Sequence, residues 1–334
     1  MKNKRQTMPT KISFNTLINN PIALILLILY SIFYVSYAYA TDVKNDTTKD
    51  ITSDNTSNIT TLATDCNAAI SKNDYAKSLL IADEIIKLDV TNSNAYLCKG
   101  RALAAQNDYK SSLDAFKLAT QHAKTGMETI VAATLTGNCH KQLKKYPEAI
   151  TSYESGLKAS QLEKNEKFAR INLILIGETQ VLNQDLKAAI TTFTAADKLS
   201  NNDNERADGY EHLAATYSAM NSHDKAIEFQ LKAVQMQIRA GTLDQQAEAG
   251  LQQGRIYTAA KEFANAERAY NKLIKFSQDN GSAYFEAKAT VGLALTKIAS
   301  GDKTTATTLI NYAKKIAKDT NDKALADEIE LAIK

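Results

Sequence analysis

The chain of 334 residues has no tryptophan, and only three prolines, twelve glycines and three cysteines. With so few helix breakers, Ala, Lys, Leu, Gln and Glu fill long stretches whose apolar spacing is helical, an all-α composition. Cys66, Cys98 and Cys139 are odd in number and show neither a C-x-x-C pair nor zinc-ligand spacing. None of His122, His140, His212 and His223 has a second histidine or a cysteine four residues away, so no metal is expected. Cys139 and His140 are adjacent and therefore point to different helix faces, which removes them as a nucleophile and base. Phosphate-binding glycine loops are missing too, since Gly241 and Gly301 stand singly at helix ends. Paired acids such as Asp83-Glu84 and Asp327-Glu328 suit solvated helix exteriors better than acid and base work. These absences leave no catalytic set and no cofactor site, and a non-enzymatic protein is expected.

Charge of one sign is concentrated in one place. The net charge is +3, but residues 1 to 40 carry Lys2, Lys4, Arg5 and Lys11 without an acid, so the remaining chain is −1. A body without a positive field is not expected to bind nucleic acid. After the basic residues comes an apolar run from Ile22 to Val35, broken by Ser31, and then Ala38-Tyr39-Ala40 before the polar Thr41. This is the layout of a secretory signal cleaved between Ala40 and Thr41. The same stretch, 19 residues from Ile22 to Ala40, is roughly 28 Å as a helix, enough for an uncleaved anchor. Either way the body is expected outside the cytosol, periplasmic or secreted or tethered to a membrane through its N-terminal segment alone. A mature chain starting at Thr41 favours cleavage, and one retaining Ile22 favours the anchor. Residues 41 to 58 contain only Val43 and Ile51 as apolar residues and read as a disordered polar linker. Asn45, Asn55, Asn58 and Asn280 lie in N-x-S/T triplets, which read best as chance matches in Asn- and Thr-rich sequence.

Residues 59 to 334 are periodic. Anchors at Tyr75, Tyr109, Tyr146, Leu186, His223, Phe263 and Lys303 are 34 to 40 residues apart. Nine residues before them stand Cys66, Gly100, Gly137, Gly177, Ala214, Gly254 and Ala294, and three residues after them Ser78, Ser112, Ala149, Ala189, Ala226, Ala266 and Ala306. All fourteen are small, as close approach of two antiparallel helices requires. Larger partners fill the remaining grooves, with Phe116, Tyr153, Phe193 and Tyr270 seven residues past four of the anchors. A last helix from Asp322 to Lys334, with Leu325 and Ile329 on one face and Asn321 or Asp322 as its cap, is expected to seal the end. The cysteines fall on first helices, where three buried free thiols are the favoured reading, and a Cys66–Cys98 bridge between neighbouring repeats is the alternative.

The series Tyr96, Gly100, Leu103, Asp108-Tyr109, Ser112, Phe116 and Ala119 resembles a tetratricopeptide repeat, and Gly254, Tyr257, Phe263, Ala266 and Tyr270 repeat it. The resemblance covers residues 59 to 334, with degenerate first and last units. It implies an all-α, right-handed α-solenoid of stacked antiparallel helix hairpins, a TPR-like superhelix, with a C-terminal capping helix. The family's helix-ending proline and its tryptophan are missing, and intervals near 40 resemble the long-helix subclass of kinesin light chains.

By the same resemblance, side chains eight residues before each anchor face the inner groove. Asn67, Arg101, Asn138, Glu178 and Arg255 are such candidates, together with Lys141, for contacts to a protein or peptide. The chaperone-binding branch places a Lys four residues before its Asn, whereas Ala63 precedes Asn67 and Thr134 precedes Asn138, so that clamp is not intact. The expected role is that of an adaptor, assembly factor or chaperone-like scaffold. The alternative is a membrane-anchored structural subunit of an envelope complex.

Overall fold

A computed structural model describes residues 53–333. The signal or anchor assigned to residues 1–40, its cleavage position at Ala40 and Thr41, and most of the 41–58 linker lie outside the described residues. Among the described residues the secondary structure is entirely helical, with fifteen helices and no strand. The chain divides into two compact units, the first ending at Leu199 and the second beginning at Ser200.

The first unit contains α1 (Ser53–Ser71), α2 (Tyr75–Leu88), α3 (Ser93–Ala105), α4 (Tyr109–Gln121), α5 (Gly126–Gln142), α6 (Tyr146–Leu162), α7 (Glu166–Leu182) and α8 (Leu186–Asp197). The second contains α9 (Asp203–Ala219), α10 (His223–Ala240), α11 (Leu243–Ala259), α12 (Phe263–Asp279), α13 (Ala283–Ala299), α14 (Lys303–Asp319) and α15 (Lys323–Ala332). Every sequence anchor is the first residue of the second helix of a hairpin. Within each unit the first helices of successive hairpins also touch, α1 with α3, α3 with α5 and α5 with α7, then α9 with α11, α11 with α13 and α13 with α15. First helices thus form an inner layer that is buried on several sides. In α7 the apolar residues run all round, from Phe168 to Val181, as a helix sandwiched between neighbours requires. α4, at the outside, buries only the stripe Ser112, Ala115, Phe116 and Ala119.

All fourteen small positions are buried. A methyl group added at Gly100, Gly137, Gly177 or Gly254 would lie 2.4 Å from a ring carbon of Phe116, Tyr153, Phe193 or Tyr270 respectively. Each ring fills the space that a Cβ would take, so only a residue without Cβ fits. Where the ring is missing, at Ala82, Gln230 and Ile310, the facing column carries Cys66, Ala214 and Ala294 instead of glycine.

The turns inside the hairpins are equally regular. Two residues before every anchor the backbone is left-handed, at Asn73, Asn107, Lys144, Gln184, Asn221, Lys261 and Gly301. In the second hairpin the Asn107 amide donates to the Ala104 carbonyl and the Asp108 amide to that of Leu103, both at 3.0 Å. This closes α3 with a double bond pattern, and the Asp108 carboxylate then accepts from the Ser111 amide at 3.1 Å to open α4. Lysine gains nothing from a left-handed backbone, and Lys144 is exposed. Lys144→Gly is therefore expected to raise stability by about 0.5–1 kcal/mol, the difference between relieved strain and added unfolded-chain entropy. A lower urea midpoint in that variant would contradict the argument.

Two boundaries refine the sequence reading. α1 begins at Ser53, inside the stretch assigned to the linker, because helix formation propagates back from the apolar residues Ile59 and Leu62 that pack on the first core cluster. α15 is capped by Asp322, whose carboxylate accepts from the Leu325 amide at 3.0 Å, while Asn321 takes the left-handed turn. Leu325 and Ile329 bury against Ala287, Val291, Ala313 and Ala317, sealing the second unit.

Candidate functional site

The inner layer of the first unit holds an open cleft of about 430 Å³ between α1, α3 and α5. Helical spacing builds its walls: Ile59, Ala63 and Asn67 recur every four residues on one face of α1, opposite Leu97 and Arg101 of α3, with Val131 of α5 at the far side. The Arg101 Nη1 donates to Asn67 Oδ1 at 2.6 Å, and Asn67 Nδ2 donates to the Ala63 carbonyl at 3.0 Å. At the rim Asn94 Nδ2 donates to Glu128 Oε1 at 3.1 Å, which holds α3 to the start of α5. The cleft therefore presents an apolar stripe bordered by amide and guanidinium groups, a lining suited to a segment of chain with one apolar side chain and its own backbone polar groups.

Three of the other predicted groove residues, Asn138, Lys141 and Glu178, make contacts within the protein. Asn138 is 2% exposed and its Oδ1 accepts from the Tyr153 hydroxyl at 2.7 Å, inside its own hairpin. Lys141, 4% exposed, pairs with Glu178 at 3.1 Å, which ties α5 to α7. Arg255 belongs to the second unit, half-buried beside Tyr270. Burial pushes the Tyr270 phenol up to about 12, opposed by the Arg255 charge. Of the six candidates the structure brings Asn67 and Arg101 together in this cleft, and Arg101 also shares a small neighbouring cavity with Asn138. Sequence reasoning missed the apolar stripe. Its signal was the four-residue spacing of Ile59, Ala63 and Asn67.

The cysteines are not three free thiols. Cys66 and Cys98 form a disulfide with Cα atoms 6.4 Å apart, within the range that a bridge spans. Stacking of α1 on α3 supplies that separation, which residue spacing along the chain does not encode. Cys139 remains free and buried, and burial pushes its thiol up to about 11, only partly offset by the Ser112 hydroxyl 3.3 Å away. A thiol held protonated in this way is a packing group rather than a nucleophile. Among the described residues no three His, Cys, Asp or Glu side chains are placed to hold a metal, and no helix is long and apolar enough to cross a membrane.

A tetratricopeptide-repeat family model matches residues 207–237, the α9–α10 hairpin. No curated protein sequence matches the chain. Among solved structures, the apo form of RapI is similar with a TM-score of 0.63 at 13% identity, covering 81% of this chain and 79% of that one. A tetratricopeptide repeat protein from Parabacteroides merdae gives 0.55 at 13% identity over 83% of this chain and 99% of its own. Aspartyl phosphate phosphatase F from Bacillus subtilis gives 0.57 at 11% identity over 86% and 81%. These likenesses establish the fold class, an α-solenoid of tetratricopeptide-like hairpins, and at such low identity nothing finer.

Proposed function

We propose that this protein is a non-enzymatic, exported scaffold that holds an extended segment of a protein partner in the α1–α3–α5 cleft. The observation that carries the reading is the cleft itself, in which Asn67 and Arg101 are bonded to each other beside the stripe of Ile59, Ala63, Leu97 and Val131. The groups lining it recognise backbone and apolar side chains and supply no nucleophile and base. Helical-repeat layers present such surfaces by construction, each hairpin adding one helix to the inner wall. Export is supported by the basic, apolar and small-residue order of residues 1–40 and by the Cys66–Cys98 disulfide, a bond that persists in oxidising compartments.

Thr64 lines the cleft and is exposed, so its replacement fills the groove without entering the core. Peptides selected from a random display library on the full chain are expected to lose at least about tenfold in affinity for Thr64→Trp, with thermal unfolding unchanged. Full affinity in that variant would move the site elsewhere. Selection that yields no binder, while a known peptide-binding control succeeds, would remove the scaffold reading.

A further inference from the structure

The Cys66–Cys98 disulfide lies in the wall of the cleft. It joins α1 to α3, skipping α2, across a sequence separation of 32, and Cys98 lines the cleft together with Asn67 and Arg101. Asn67 directly follows Cys66, and the 2.6 Å bond from Arg101 to Asn67 spans the same two helices as the disulfide. Covalent bond, polar bond and apolar stripe therefore depend on one distance, that between α1 and α3. We propose that the disulfide gates the cleft: oxidised, it holds α1 at the spacing that binds a partner segment, and its reduction releases α1 and the bound segment. This inference rests on the reading of the cleft as the binding site.

Three features make α1 the element that would respond. Among the described residues it is the first helix and packs on α2 and α3, whereas α3 and α5 each touch a first helix on either side. Its composition is poor for a free-standing helix, with Thr60, Thr61, Thr64, Asn67 and Ser71 along its length. Its apolar contacts are made by Ile59, Leu62, Ala63, Ala69 and Ile70 around the two cysteines. Repeat ends with one neighbour are the parts of such folds that open first. An arginine to amide hydrogen bond of 2.6 Å does not survive a displacement of more than about 1 Å, which takes it past the limit of hydrogen bonding.

The chemistry requires a dithiol reductant. Its first thiolate attacks the sulfur of Cys98, the one on the cleft wall, forming a mixed disulfide and expelling the Cys66 thiolate, which takes a proton. Its second thiol, losing a proton, then displaces Cys98 as a thiolate, which is protonated in turn, so two electrons pass to the protein and the reductant leaves as a disulfide. The Ser78 hydroxyl, 3.4 Å from Cys66 Sγ and 3.3 Å from Cys98 Sγ, is placed to accept from either thiol once formed. Cys98 is 4% exposed and lines the cleft, so a bound segment covers the route to it. Linkage is reciprocal: a segment that binds the oxidised form better must resist reduction to the same degree.

The test uses the full chain with a library-selected peptide as probe, before and after treatment with dithiothreitol and again after reoxidation with diamide. Hydrogen exchange is read at α1 and at α7, with Cys66→Ser as a permanently reduced reference. On reduction, α1 amides are expected to exchange at least about tenfold faster with α7 unchanged, and peptide affinity to fall at least about tenfold and return on reoxidation. Unchanged exchange in α1 overturns the proposal. Faster exchange with undiminished affinity also overturns it, leaving the bond a staple and the binding site intact. A selected peptide indifferent to Thr64→Trp overturns the site itself, and the gating with it. If Cys66→Ser fails to fold, reversible reduction of the unmodified chain decides the matter.

Discussion

Replacing Tyr153 by alanine is expected to cost the first unit about 3–5 kcal/mol, the range for removing a large buried ring. The ring is fully buried, lies against the backbone of Gly137, and carries a hydroxyl that donates to Asn138. Lys141 Nζ sits 6.0 Å from the ring centroid and adds a weaker attraction. Two further variants separate these contributions. Tyr153→Phe keeps the packing but leaves the buried Asn138 oxygen without its donor, at about 1–3 kcal/mol. Gly137→Val keeps the tyrosine but drives a side chain into it, at about 1–3 kcal/mol or more. A combined Gly137→Val, Tyr153→Ala chain should be less destabilised than the two single losses added together, because each change relieves the other. Urea denaturation of the four chains measures the coupling, and simple additivity would show that the ring and the glycine do not share one space.

Glu178→Ala is expected to cost about 3 kcal/mol or more, since it strands the ammonium group of Lys141 in the interior. Lys141 is 4% exposed and its partner 18%, so water reaches the carboxylate side and leaves the lysine to depend on the pair. Replacing both together, Lys141→Met with Glu178→Leu, should be near neutral or stabilising, because the cost of desolvating two charges disappears along with their attraction. The contrast is read from urea midpoints in low and high salt, where a buried pair is little screened. If Glu178→Ala loses less than about 1 kcal/mol, the value of an exposed pair, water must solvate Lys141 and the two helices are not held by this contact.

The groove is only partly legible in the sequence. Asn67, Arg101, Asn138 and Glu178 occupy equivalent positions relative to their anchors, yet they meet different fates. Asn67 and Arg101 bond to each other in the cleft, Asn138 turns into its hairpin to meet a tyrosine hydroxyl, and Glu178 reaches to Lys141 of the preceding hairpin. The hairpins with phenylalanine, Phe116 and Phe193, have no hydroxyl at that point, so an asparagine there would have had no such partner. Local identity of the repeat does not carry over to its polar contacts, which depend on the partner side chain one or two helices away.

The start of each second helix, the positions that must stay small and the cap of the second unit are legible in the residue order alone. Anchors open every second helix, fourteen small residues are buried, and Asp322 with Leu325 and Ile329 ends the second unit. All of these follow from short-range rules, since helix periodicity, left-handed turns and close approach within a hairpin involve residues a few positions to a few turns apart. Tertiary packing settles the pairing of Cys66 with Cys98, the joining of the Ile59 and Ala63 face to Leu97 and Val131 in one cleft, and the division into two units at Leu199. Those depend on distances between first helices of successive hairpins, set by how each layer of side chains seats on the next, and no spacing along the chain encodes them.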